Sequence, residues 1–247
     1  MTRNCPKAFF NWSGGKDSAL TFYYLQRQGH YDIKYFLTSV NKDFQRISMH
    51  GVRIELLKKQ AHSLGIPLKL LEVPEKLTLA EYDRLMQNQL TIFKKQGIEH
   101  AIFGDIFLED LKKYREDQLA KVEIQGVFPI WQRPTSQLVK EFLTLGFKAI
   151  TVCVNEKFLD RSFVGRMMDE QFFKDLPKNV DPCGENGEYH SFVFDGPLFK
   201  KAVLFKRGEV VYRRYESSDP TAANQTGTVG AGNVYQDGFW YCDLLPV

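Results

Sequence analysis

The segment Ala8-Phe9-Phe10-Asn11-Trp12-Ser13-Gly14-Gly15-Lys16-Asp17-Ser18-Ala19-Leu20 constrains the fold more than any other stretch of the chain. Its short apolar run predicts a buried strand, the glycine pair a sharp turn, and the residues after it the first turn of a helix. A strand that turns directly into a helix opens an α/β unit. The glycines remove Cβ atoms where the backbone must approach a ligand, and the first N–H groups of the helix have no partner within it. Together with the helix dipole they form an anion site, to which Ser13 and Ser18 add hydroxyls and Lys16 a charge. A triphosphate fits that chemistry. The spacing is not that of a Walker loop, because Asp17 follows the lysine and no glycine lies five residues before Gly15.

Downstream, apolar β-rich runs alternate with amphipathic stretches through about residue 155, the pattern of a parallel sheet covered by helices. Strands are expected at residues 7–11, 33–40, 68–73, 100–106, 127–131 and 149–154. Helical stripes run through Ile54, Leu57, Ala61 and Leu64, through Leu79, Tyr82, Met86, Leu90 and Phe93, and through Leu138, Phe142 and Leu145. Each is followed by a glycine, at Gly65, Gly97 and Gly146, as expected at helix ends. Beyond residue 155 the rhythm changes to short strands, at 192–194, 202–205 and 210–215, which implies a smaller α+β region. Residues 216–234 lack an apolar face and predict a long loop, and the apolar segment 238–245 is expected to dock back on the body. The division is therefore residues 1–131, an N-terminal domain bearing the phosphate loop, residues 132–215, a C-terminal domain, and residues 216–247, the loop and docked tail.

Composition sets limits on partners. With 33 Lys and Arg against 30 Asp and Glu, the net charge of +3 carries no basic patch that would argue for nucleic acid. No run approaches the ~18 apolar residues of a membrane helix, and the first residues lack the apolar core of a signal peptide. Cys5, Cys153, Cys183 and Cys242 are dispersed and form no Cys-x-x-Cys pair. A cytoplasmic location is expected.

Residues 13–18 resemble the Ser-Gly-Gly-x-Asp-Ser loop of the PP-loop ATP pyrophosphatases in the adenine nucleotide alpha-hydrolase superfamily. Three further segments narrow the resemblance to the diphthine–ammonia ligase family, bacterial branch, over nearly the whole chain. They are Arg46-Ile47-Ser48-Met49-His50-Gly51-Val52-Arg53, Phe103-Gly104-Asp105-Ile106, and Asp181-Pro182-Cys183-Gly184-Glu185-Asn186-Gly187-Glu188-Tyr189-His190-Ser191. The last is similar to the family's Gly-Glu-x-Gly-Glu-Tyr/Phe stretch. It departs from the archaeal and eukaryotic ligases in carrying His190-Ser191 where they have Glu-Thr.

The resemblance implies a Rossmann-like, HUP-type α/β fold and an ATP-dependent ligase that adenylates a carboxylate, releases pyrophosphate, and passes the acyl group to ammonia or an amine. On that basis Ser13, Gly14, Gly15, Lys16, Asp17, Ser18 and Gly104 bind ATP. Asp17 holds Mg²⁺. His50, Arg53, Asp105, Glu185, Glu188, Tyr189 and His190 face the acceptor, and Lys16, Asp17, Glu185 and Glu188 are the catalytic set. The acceptor is a small molecule or a modified residue bearing a carboxylate, and a homodimer is left open. Without the resemblance, Glu185 and Glu188 read as an acidic turn and Arg53 as a solvated residue at a helix start. Two other readings stand beside the ligase, a tRNA-modifying enzyme and a nucleotide-sensing module without catalysis. Thiolating tRNA enzymes need paired cysteines, and pyrophosphate release separates an enzyme from a sensor.

Overall fold

A computed structural model describes residues 5–48, 50–216 and 236–247 of the protein. Strand β1 (Lys7–Asn11) alternates its side chains between two buried faces, as the period of a strand dictates. Phe10 packs with Phe22 and Phe36 on one side, whereas Phe9 packs with Phe93 on the other. Helix α1 (Lys16–Gln28) follows the glycine turn and ends at Gly29, whose left-handed conformation suits a residue without Cβ.

β2 (Asp32–Asn41), the short β3 (Arg46–Ile47), α2 (Ile54–Leu64), β4 (Leu68–Val73) and α3 (Leu79–Lys95) come next. α3 begins with a capping box, in which the Thr78 side chain accepts from the Glu81 N–H while Glu81 reaches back to Thr78. β5 (His100–Ile102), α4 (Glu109–Ala120), β6 (Gln125–Val127) and α5 (Thr135–Thr144) complete the first unit. Strands β4, β2, β1, β5 and β6 lie side by side and parallel, and β3 pairs antiparallel with the end of β2. The chain steps outward from β1 to β2 and β4, then returns to the other side of β1 for β5 and β6. Connections therefore leave β1 and β5 in opposite directions, and the crevice at their carboxyl ends is where open α/β sheets bind ligands.

A second sheet is antiparallel, with order β8-β7-β10-β9, built from β7 (Lys148–Asn155), β8 (Tyr189–Asp195), β9 (Phe205–Glu216) and β10 (Gln236–Pro246). The short helix α6 (Glu170–Asp175) supplies the fully buried Phe172 to its core. Buried residues of this sheet, α1, α2 and α5 form one continuous cluster, and α3 and α4 cover the opposite face of the parallel sheet with a second.

The parallel sheet flanked by helices is the expected α/β architecture, with several corrections. The strand expected at 149–154 does not extend the parallel sheet. It is β7, buried along nearly its whole length between antiparallel neighbours. A continuous apolar run is equally suited to either setting, so periodicity does not separate them. Two strands are shorter than expected: β5 stops at Ile102 and β6 ends at Val127, before Pro129 and a turn that places Gln132 at φ 57. Residues 202–204 join no sheet, although the Val203 N–H donates to the Phe194 carbonyl of β8 (2.7 Å) and β9 begins at Phe205. Segment 238–245 belongs to β10, an internal strand of the second sheet. The loop expected at 216–234 falls, beyond Glu216, outside the described residues. Among the described residues, no helix is long and apolar enough to cross a membrane.

Candidate active site

The glycine turn sits at the carboxyl end of β1, at the mouth of the crevice. Gly14 has φ +80, a conformation that favours glycine, and a Cβ there would meet Gln60 Oε1 at 3.0 Å. Behind the turn the hydroxyls of Ser13 and Ser18 lie 2.8 Å apart, and the Gly15 N–H donates to Ser13 Oγ (3.2 Å). Lys16 is buried. Its ammonium donates to Asp17 Oδ2 (2.7 Å) and to the carbonyl of Cys183, and lies over the Tyr189 ring at 5.3 Å. Burial alone would lower its pKa, but Asp17, then Tyr189 and Cys183, outweigh burial and hold it well above the usual lysine value. The cation is thereby fixed beside the first N–H groups of α1.

Beside this positive wall stands an acidic one. Gly104, just after β5, lies against the start of α1, where a Cβ would come within 3.2 Å of the Ser18 nitrogen. Asp105 pairs with Arg115, Oδ2 to Nε at 2.7 Å. Glu185 accepts from the Ile106 N–H through Oε1 (2.7 Å). Burial first, then the neighbouring charges of Asp17 and Asp105, push its carboxyl up to about 8 against the pull of that N–H. The loop that carries Glu185 is internally fastened. Asp181 Oδ2 accepts from the N–H groups of Cys183 (3.0 Å) and Glu185 (3.1 Å). Glu188, 1% exposed, accepts from the Asp181 N–H and Asn186 Nδ2 through Oε1 (both 3.0 Å) and from the Asn186 N–H through Oε2 (2.9 Å). Tyr189 ties the loop to β8 by donating its hydroxyl to the Pro182 carbonyl (2.5 Å).

His50 and His190 stack at 4.5 Å between ring centroids with a 22° tilt. Burial lowers the His50 pKa to about 4, with Lys16 adding to the shift and a hydrogen bond to the Ser191 backbone opposing it. Burial, then His50 and Lys16, hold His190 well below the ordinary value. Both rings are neutral at pH 7. Cys183 is no nucleophile, since burial keeps its thiol protonated and its Sγ points at the Thr135 carbonyl (3.6 Å).

Comparison with known proteins falls on the same segments. The family description "Diphthamide synthase N-terminal domain" matches residues 7–124, and "Diphthamide synthase C-terminal domain" matches residues 134–217. The chain belongs to the diphthine–ammonia ligase family. Proteins named diphthine–ammonia ligase are similar to it, at 25% identity in Homo sapiens over 85% of this chain and 86% of that one, and at 27% in Mus musculus with the same coverage. One from Danio rerio is 30% identical over 57% of each chain. Among solved structures, the U34-tRNA thiolase NcsA from Methanococcus maripaludis with its [4Fe-4S] cluster is 16% identical, covers 57% of each chain and has a TM-score of 0.36.

In this member of the diphthine–ammonia ligase family, Ser13, Gly14, Gly15, Lys16, Asp17, Ser18, Gly104, Asp105, Glu185, Tyr189, His50 and His190 come together around the loop. Two expected residues do not face an open site. The Arg53 guanidinium is taken by Asp243 of β10 (Nε 3.1 Å, NH2 2.6 Å), where it fastens the start of α2 to the second sheet. Glu188 has both carboxylate oxygens occupied by its own loop and faces inward. Gly104 admits α1 rather than open space, because its missing Cβ is filled by that helix backbone.

Gln60 and Ser191 were not legible as site residues. Gln60, fully buried, accepts from Trp12 Nε1 (2.7 Å) and donates to the carbonyls of Gly14 (3.0 Å) and Val193 (2.6 Å). A glutamine three residues after Leu57, on the apolar stripe of α2, is the signal that marks it, since a buried amide needs partners. Ser191 accepts from the Lys16 N–H (3.1 Å), a contact between residues 175 apart in sequence that no local pattern announces.

Proposed function

We propose that this chain is an ATP-dependent ligase that adenylates a carboxylate, releases pyrophosphate, and transfers the acyl group to ammonia or an amine. The observation that carries the reading is at the carboxyl ends of β1 and β5, where the start of α1 and the Lys16 ammonium form a cationic wall beside the acidic one made by the carboxyl groups of Asp105 and Glu185. The cationic wall suits the β- and γ-phosphates of ATP as a leaving group. The acidic wall suits an acceptor.

In this reading an oxygen of the substrate carboxylate bonds to the α-phosphorus as the bond to the α,β-bridging oxygen breaks, and pyrophosphate leaves against Lys16 and the loop N–H groups. Ammonia then attacks the acyl carbon and AMP departs. The surplus proton passes to the ionised form of Glu185, a minor form at pH 7 that grows as pH rises toward 8, so the step is expected to quicken over that range. Glu188 acts by holding the loop rather than by touching the reactants, and Tyr189 and His190 wall the acceptor side. Mg²⁺ fits the site because the charges of Asp17 and Asp105 both bear on the buried Glu185 carboxyl, where a cation would offset them. Among the described residues no three side chains converge as a metal cage, and a cation held by Asp17 and phosphate oxygens needs none. Such an ion supplies neutralisation of phosphate charge. The reading places the enzyme in the cytoplasm, with residues 132–215 as its substrate-binding domain.

Incubation with ATP, an ammonium salt and candidate acids, followed by nucleotide chromatography, tests the assignment. AMP and pyrophosphate are expected in equal amounts, and Asp17→Ala abolishes both while the fold survives. Stoichiometric ADP would move the protein to phosphoryl transfer.

A further inference from the structure

We propose that Ser191 is a pyrophosphate-binding residue, so that the nucleotide cradle is completed by the second sheet, and that His50 is the residue that positions it. The inference rests on residues 13–18 being the phosphate loop. β8 is an edge strand of its sheet, and its free edge runs along that loop: the Val193 N–H donates to the Gly14 carbonyl (2.9 Å) and the Lys16 N–H donates to Ser191 Oγ. A Cβ on Gly15 would lie 3.3 Å from the Ser191 carbonyl oxygen and 3.4 Å from its hydroxyl, so strand and loop are in contact.

Ser191 is 4% exposed, and its hydroxyl receives one hydrogen bond while its own proton has no acceptor among the described residues. A hydroxyl is both donor and acceptor, and a buried donor without a partner costs free energy that a ligand can recover. Beside the start of α1, the Lys16 ammonium, Ser13 and Ser18, the acceptor that suits this proton is a phosphate oxygen. Two devices hold the hydroxyl there. Gln60 bridges the carbonyls of Gly14 and Val193 and so locks loop to strand. His50 stacks its ring on that of His190, the residue before Ser191, and so braces the strand from the other side. His50 Nδ1 and His190 Nε2 are buried without hydrogen-bond partners among the described residues.

Isothermal titration of wild type, Ser191→Ala, Ser191→Thr, His50→Ala and His50→Gln with ATP, inorganic pyrophosphate and AMP tests the proposal. Loss of one hydrogen bond to a charged group predicts that Ser191→Ala weakens ATP and pyrophosphate about tenfold while AMP stays within twofold, and Ser191→Thr restores binding. His50→Ala and His50→Gln give a smaller loss of the same pattern, because neither keeps a ring stacked on His190. Unchanged or tighter ATP binding by a folded Ser191→Ala variant overturns the proposal, and an equal loss for ATP and AMP does so by showing a strut between the sheets. Wild-type protein that binds neither ATP nor pyrophosphate instead overturns the nucleotide reading itself.

Discussion

Glu185 combines three influences that elsewhere occur apart: a buried carboxyl, two like-charged neighbours, and one backbone donor. The first two favour the neutral form and the third opposes them, and the balance leaves a glutamate that titrates near pH 8. Carboxyl ¹³C spectra of labelled protein are expected to show one resonance with that midpoint, missing from Glu185→Gln and shifted to lower pH by Mg²⁺ with ATP. The sign for stability follows. A carboxyl whose folded pKa lies above its unfolded value favours the native state below about pH 4.5, and that advantage is lost as pH rises through 8. Glu185→Gln, fixed in the neutral form and still able to accept from Ile106, therefore gains stability over wild type progressively between those values. Denaturant midpoints at pH 5 and pH 8.5 measure this, and an equal difference at both would show that the native carboxyl is ionised throughout.

The loop at 181–188 is the element on which the acceptor side depends, and its two glycines do different work. Gly184 (φ +69) leaves no room for a Cβ, which would meet the Tyr189 carbonyl oxygen at 2.9 Å, whereas Gly187 (φ +83) opens onto empty space. Gly187→Ala is thus expected to cost only the left-handed backbone penalty of about 1 kcal/mol, and Gly184→Ala several times that. Glu188→Gln puts an NH2 into a carboxylate that receives three donors across its two oxygens, setting donor against donor, so it should destabilise more than Glu185→Gln does. Thermal unfolding ranks the four variants, and a Glu188→Gln protein as stable as wild type would return that carboxylate to the reaction. The loop's presence was legible because Pro182, Gly184 and Gly187 punctuate an acidic run. Which of its two glutamates points inward was not, since both are the same residue type and only the hydrogen bonds to Asp181 and Asn186 distinguish them. Strands followed the same division. β1 and β4 coincide with apolar runs closed by polar or turn residues, while the run at 149–154 does not reveal its sheet, because β8 and β10, its antiparallel partners, begin only at residues 189 and 236.

At the scale of the whole molecule, the two sheets meet along the phosphate loop and again at Asp243, which draws β10 to the first sheet through Arg46 (2.8 Å) and Arg53 (2.6 Å). The parallel sheet was legible because each of its strands is followed by its own helix. The union of the sheets was not, because it is made by single polar residues, Gln60, Ser191 and Asp243, whose partners lie far along the chain. Burial alone would raise the Asp243 carboxyl, but hydrogen bonds from Arg53 and Arg46 bring it down to about 2. A depressed carboxyl contributes stability that is complete above its unfolded pKa and fades as pH falls through the folded one. For a group at the edge of solvent the effect is on the order of 1–2 kcal/mol, screened further by salt. Asp243→Asn should therefore unfold at lower urea concentration than wild type at pH 7, and the gap should shrink by about half at pH 3, where the unfolded aspartate is protonated while the native one is still ionised. A gap that stays constant between the two pH values would mean that the aspartate holds the sheets together by shape and neutral hydrogen bonds, with the arginine pair contributing nothing through charge.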